Sequence, residues 1–180
     1  HGTEVTLTAI PDAHWAFSNW SGDITGTISP STVEMLSAKN ITATFVQLYP
    51  IFASSMQAVD FDSVLFGTTK TDSITVTNTG TDTLFVTSAT STGELFTITP
   101  TNGTLLPTEQ LKLYVTFSAD VPGAHDGNIV LLHNASTSPD TIVVNGYTLD
   151  VTMFRTLHAD ALLNGKPVKL KRNRSGVYPL

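Results

Sequence analysis

The chain has 180 residues, 41% of them apolar and 13% charged, and a formal net charge of −6. The apolar share can bury a core, while the charged share falls well short of the roughly 25% of an average soluble protein. Thirty threonines stand against nine lysines and arginines and no cysteine. That composition favours strands and excludes a coiled coil, a collagen-like chain, a disordered acidic tail, a disulfide scaffold and any thiolate chemistry.

Residues 3–10, TEVTLTAI, alternate with Val5, Leu7 and Ala9 on one side and Glu4, Thr6 and Thr8 on the other, which predicts a half-buried strand. Pro11-Asp12 turns the chain. HWAFSNWSGD follows, with Trp15, Phe17 and Trp20 close together and turn signals at Ser21-Gly22-Asp23 and Gly26. Val33–Ala38 and Ile41–Val46 read as two more strands, joined at Lys39-Asn40.

These residues resemble the bacterial repeat module related to the internalin B-repeat. Its usual form is a glycine, then V-x-L-x-A-x-P, F-x-x-W-S-G-D, an Asn-Pro-like turn and a closing I-T-A-x-F. Here Gly2, Val5, Leu7, Ala9, Pro11, Phe17, Trp20, Ser21, Gly22, Asp23, Ile41, Thr42, Ala43 and Phe45 match. His14 stands where a glycine is usual, and Ser29-Pro30 replaces Asn-Pro. The resemblance places the module's first strand before Gly2, so the chain is expected to be a piece of a longer polypeptide, with an incomplete module over residues 1–47.

Residues 48–59, LYPIFASSMQAV, show no alternation until their end and read as a linker or as the lead-in strand of the next domain. From residue 60 the pattern changes to short strands with turn signals at intervals of roughly 8–12 residues, which predicts a β-sandwich. Ile74 and Val76 share one face, as do Leu84 and Val86, and Phe96 and Ile98. The cleanest strand is QLKLYVTF, with Leu111, Leu113, Val115 and Phe117 facing in and Lys112, Tyr114 and Thr116 facing out. NIVLLHN and TIVVNGYTL close the series.

Residues 60–149 resemble the Hydin-type immunoglobulin-like domain, a group related to major sperm protein and abnormal-spindle domains. The motifs that carry the resemblance are Phe66-Gly67, Thr77-Asn78-Thr79-Gly80, Leu84, Phe96–Pro100, Pro107, Val115-Thr116-Phe117, Gly127 and Val144-Asn145-Gly146. Pro107-Thr108 replaces the usual Pro-Gly, and Phe117-Ser118-Ala119 replaces F-x-P. In residues 150–180, Asn164-Gly165 lies between apolar runs and signals a two-residue hairpin. The fold class is therefore all-β: a small incomplete β-repeat, an immunoglobulin-like sandwich and a short hairpin-like tail or the start of a further β module.

Charge divides along the chain, with a net of −10 over residues 1–149 and +4 over residues 150–180. An acidic body argues against nucleic acid as a partner, since phosphates need a basic face. The basic KPVKLKRNR reads as a solvated strand or linker, or as a contact for an anion. No run of 18 apolar residues exists, so no membrane insertion is expected.

Trp15 is the one candidate ligand-binding residue, because an exposed indole offers a flat apolar face for stacking on a sugar. Trp20 is expected to be core. The histidines at 1, 14, 125, 133 and 158 show no metal-ligand spacing. Asp60 and Asp62 lack the further ligands of a calcium loop. There is no G-x-S-x-G elbow, phosphate loop or S-x-x-K, so no catalytic residue, metal or cofactor is expected. The two resemblances imply non-catalytic spacer and interaction modules of a larger exported or cell-surface bacterial protein. The alternative is an accessory module that binds an extracellular glycan or protein.

Overall fold

The structure, a computed structural model, describes residues 2–150 and, beyond them, the strand segments 162–163, 166–167, 170–173 and 176–179. The repeat is built from four strands, β1 (Thr3–Leu7), β2 (Trp15–Gly22), β3 (Ser31–Met35) and β4 (Ile41–Gln47). They form two antiparallel ribbons, β1 with β3 and β2 with β4, so the consecutive strands β3 and β4 lie in different sheets. β1 ends sooner than its alternation predicts because the Ala9 N–H leaves the ladder and donates to Ser29 Oγ at 2.8 Å. β3 stops at Met35, where the Leu36 N–H turns back to the Glu34 carbonyl.

The aromatic cluster depends on an irregularity in β2. Trp15, Phe17 and Trp20 do not share an alternating parity, and a strict strand would send Trp20 to the opposite face. A bulge between Phe17 and Asn19 inserts one residue, so Trp15, Phe17 and Trp20 oppose Gln47, Phe45 and Ala43 in turn and share a face. Phe17 packs 5.0 Å from the Trp20 ring and 5.9 Å from Phe45. The buried Trp20 indole donates to the Ile28 carbonyl at 2.9 Å. Gly22 is required here: its φ is +94°, and a Cβ would collide with the Asn40 carbonyl.

The sandwich contains nine strands: β5 (Phe52–Ser54), β6 (Ala58–Leu65), β7 (Thr69–Asn78), β8 (Leu84–Ser91), β9 (Phe96–Thr99), β10 (Gly103–Leu105), β11 (Gln110–Ser118), β12 (Gly123–His133) and β13 (Asp140–Leu149). One sheet has the order β10-β8-β12-β13-β6 and the other β5-β7-β11-β9. Every pairing is antiparallel except β13 with β6. The alternation of β11 holds: Leu113, Val115 and Phe117 are fully buried, Leu111 packs at the rim of the core, and Lys112 and Tyr114 are exposed. Phe117 stacks on Phe96 at 4.9 Å and meets Phe61 at 5.8 Å, so three strands from both sheets converge on one aromatic centre.

Residues 48–59 contain the lead-in strand β5, which pairs with β7, and the start of β6. Three of the four edge strands are very short, and the longer β6 carries Asp60 and Asp62, a φ of +52° at Asp62 and an irregular register with β13. These features blunt an edge against further pairing. Beyond Asp150, β14 (Leu162–Leu163) pairs with β15 (Lys166–Pro167) on either side of Asn164-Gly165, and β16 (Leu170–Asn173) pairs with β17 (Gly176–Pro179). His1, His158 and the side chains of the basic segment lie outside the described residues.

Candidate functional site

Trp15 opens β2 directly after a tight turn. Its N–H donates to the Asp12 carbonyl at 3.1 Å, and His14 between them has a φ of +65°. The Leu48 N–H donates to the His14 carbonyl at 2.7 Å, which anchors the turn to the residue following β4. This turn places the indole over an open hollow of about 250 Å³, lined by Ile10, Pro11, Asp12, Trp15 and Phe45. Trp15 is 42% exposed and Ile10 81%, whereas Trp20, three positions past Phe17, is 7% exposed. The hollow thus combines two aromatic rings, an aliphatic wall and one carboxylate at the rim. That set suits stacking against a flat, partly apolar ligand with hydroxyls.

Two larger hollows lie on the sandwich. One, of about 360 Å³, is lined by Gly93, Glu94, Leu95, Phe96, Val121, Ala124, His125 and Asp126. The other, of about 430 Å³, shares Ala124, His125 and Asp126 and adds Asp60, Asp62, Ser63, Asn145, Gly146 and Tyr147. Asp60 and Asp126 face each other across Asn145 in the sheet register. His125 is engaged through Nε2 with the Val121 carbonyl at 2.7 Å, and Asp60 accepts the Asp62 N–H at 2.8 Å. Among the described residues no three histidines, cysteines or carboxylates gather as metal ligands.

The structure pairs two histidines with carboxylates that their spacing did not suggest. His133 is fully buried, with Nε2 2.9 Å from Asp140 Oδ2. Its Nδ1 accepts the Ala135 N–H at 3.2 Å, so the ring proton sits on Nε2 and is donated to Asp140. Thr137 Oγ1 donates to the same carboxylate at 2.7 Å, and the imidazole stacks on Phe52 of β5 at 4.5 Å. Every polar atom of this imidazole is engaged, so the dyad fastens the β12–β13 loop to the lead-in strand. The second pair joins His14 Nδ1 to Asp82 Oδ2, 68 positions apart. The His14 side chain, followed by the Thr83 N–H, holds the Asp82 carboxyl below its ordinary range. The His133 partner lies across one hairpin loop, seven residues on, whereas the His14 partner becomes visible only when distant turns meet.

The motif Thr77-Asn78-Thr79-Gly80 is structural. Asn78 is fully buried, and its Oδ1 accepts the Ile51 N–H at 3.3 Å and the Gly80 N–H at 3.0 Å. Its Nδ2 donates to the Asp82 carbonyl at 2.7 Å and the Leu105 carbonyl at 3.0 Å. One amide therefore ties together the lead-in segment, the 78–82 turn and β10.

Residues 50–147 match the family model of the HYDIN/CFA65/VesB-like, Ig-like domain. The chain belongs to this family. Ahead of the Ig-like domain, residues 1–48 match the divergent InlB B-repeat domain. Both departures from the family patterns at glycine positions fall at left-handed backbone, His14 at φ +65° and Thr108 at φ +73°. The geometry that glycine serves is kept although the glycine is lost.

Among solved structures, the ASH/PapD-like domain of human CEP192 is similar at 14% identity, covering 56% of this chain and 86% of that one, with a TM-score of 0.50. A protein of unknown function from Porphyromonas gingivalis W83 is similar at 11% identity, covering 80% of this chain and 84% of that one, with a TM-score of 0.50. These likenesses concern the fold alone. No curated protein matches the chain.

Proposed function

We propose that the two modules are a non-catalytic spacer and interaction region of a larger exported or cell-surface bacterial protein. The observation that carries this reading is the succession of an InlB-type repeat and a VesB-like Ig-like domain in one chain. Modules of this kind are self-contained, join through short connections and project neighbouring domains outward, with function grafted onto loops or flanks. The internal chemistry agrees with the reading: the His–Asp dyad and the buried Asn78 are consumed in holding loops. The partners would be neighbouring domains of the same polypeptide.

Detecting the native polypeptide in its source cells with an antibody against this chain tests the reading. A species far larger than 19.2 kDa in the envelope or the medium is expected. A cytoplasmic species near 19.2 kDa overturns it.

A second reading is favoured by the Trp15 hollow, whose ring is open to solvent beside Phe45 and Asp12. On this reading the repeat is an accessory module that binds an extracellular glycan or protein. Both tryptophans of the chain lie in the repeat, so intrinsic fluorescence reports on it directly. A shift or quench on adding a polysaccharide, absent in Trp15→Ala, supports the reading. Silence across a broad panel of glycans and candidate protein ligands removes it.

A further inference from the structure

The connection between the modules contains almost no free chain. On the repeat side, the Leu48 N–H is bonded to the His14 carbonyl. On the sandwich side, the Tyr49 carbonyl accepts the Thr81 N–H at 2.9 Å and the Asp82 N–H at 3.2 Å, and the Tyr49 N–H donates to Thr81 Oγ1 at 3.3 Å. The Ile51 carbonyl accepts the Thr79 N–H at 3.0 Å. The turn receives this segment only because residue 80 is glycine. A Cβ there would sit 2.8 Å from the Pro50 carbonyl carbon and closer still to Tyr49 O and Ile51 N. The soft torsions left between the two anchors are therefore φ and ψ of Leu48.

A connection pinned so closely on both sides acts as a hinge, and a second point of contact decides whether it turns. That second point is the pairing of His14 with Asp82. The same His14 gives its carbonyl to Leu48, and the same Asp82 gives its N–H to Tyr49. We propose that the repeat and the sandwich are hinged at Leu48 and latched across that hinge by His14 and Asp82. Latched, the chain is a stiff two-module rod. Unlatched, the repeat and its Trp15 hollow swing about two torsions. The inference goes beyond the spacer reading and does not depend on what the flanking domains do.

The imidazole is 66% exposed and the carboxylate 19%, so the latch is solvated and its strength is that of a surface contact. Removing such a pair is expected to lower the latched-to-open ratio by about two- to five-fold.

Residual dipolar couplings on the full 180-residue chain test this, with separate alignment tensors fitted to residues 3–47 and 52–149. The unaltered chain is expected to show the smallest difference between the two tensors. His14→Gly keeps the left-handed turn without strain and removes the imidazole, and Asp82→Ala removes the carboxylate. Each is expected to widen that difference, and the double variant is expected to widen it no more than either single one. An unaltered chain whose tensors differ as much as those of the variants overturns the proposal. So does a double variant whose effect is the sum of the singles. Chemical shifts that remain native within each module exclude unfolding as the cause of any separation.

Discussion

The two modules of this chain solve the same problem at different scales. The sandwich gathers nineteen buried apolar residues between its two sheets, centred on Phe61, Phe96 and Phe117. The repeat has two ribbons of two strands each, and only Trp20 and Val33 among its apolar residues are buried. So little covered area stabilises weakly, since burial contributes about 25 cal/mol per Å² of apolar surface. The repeat compensates with specific devices: the Trp20 indole bonded to the Ile28 carbonyl, the β2 bulge, the Gly22 turn against Asn40, and the contact with the sandwich through His14. A large core tolerates local irregularity, whereas a small one depends on single residues.

That contrast can be broken most sharply at the two aromatic centres. Phe117→Ala is expected to destabilise the sandwich by about 3–5 kcal/mol, read from urea unfolding followed by tyrosine and amide signals. Trp20→Ala is expected to cost a similar intrinsic amount, but in a module with so small a core it abolishes the folded repeat and leaves the sandwich transition in place. A single cooperative loss of both modules would contradict the independence of their cores.

Asn78→Ala is expected to cost roughly 3 kcal/mol, because it removes four hydrogen bonds to the backbone, of which those to Gly80 and Leu105 are buried. The loss should appear as faster amide exchange at Ile51 and Gly80 before the global transition. Thr108→Gly acts in the opposite direction. A β-branched residue at φ +73° is strained, and its release is expected to stabilise the sandwich by about 1 kcal/mol, measured as a raised urea midpoint.

The smallest effect is expected at the contact between the modules, in acid. The Asp82 carboxyl is held below its ordinary value of 3.8, chiefly by the His14 side chain. The contribution of a carboxylate so depressed is present in full above 3.8 and fades as the pH falls through the lower folded value. Asp12, two residues from His14, is the nearest other carboxylate on that turn. The prediction is that coupling between the modules persists through mild acid and is lost only below the ordinary carboxylate range. Dipolar couplings recorded along a pH series would show it, and a loss centred above pH 3.8 would contradict it.

Much of this architecture follows from local pattern. Alternation in QLKLYVTF assigns Leu113, Val115 and Phe117 to the core and Lys112 and Tyr114 to solvent, because a strand's side chains alternate whatever its neighbours are. The aromatic run around Trp20 announces a core residue, and Trp15 stands out as its exposed companion. Even the two missing glycines, at positions 14 and 108, mark turns that adopt left-handed backbone. The tertiary structure alone decided what depends on which distant segments meet. It paired β6 with β13 in parallel, placed β3 and β4 in different sheets, and used a bulge to return Trp20 to the face of Trp15. It also joined His14 to Asp82 and stacked His133 on Phe52. The physical reason is range. Side-chain parity and turn chemistry are set within a few residues, while partners are chosen by how the whole chain reverses around its cores.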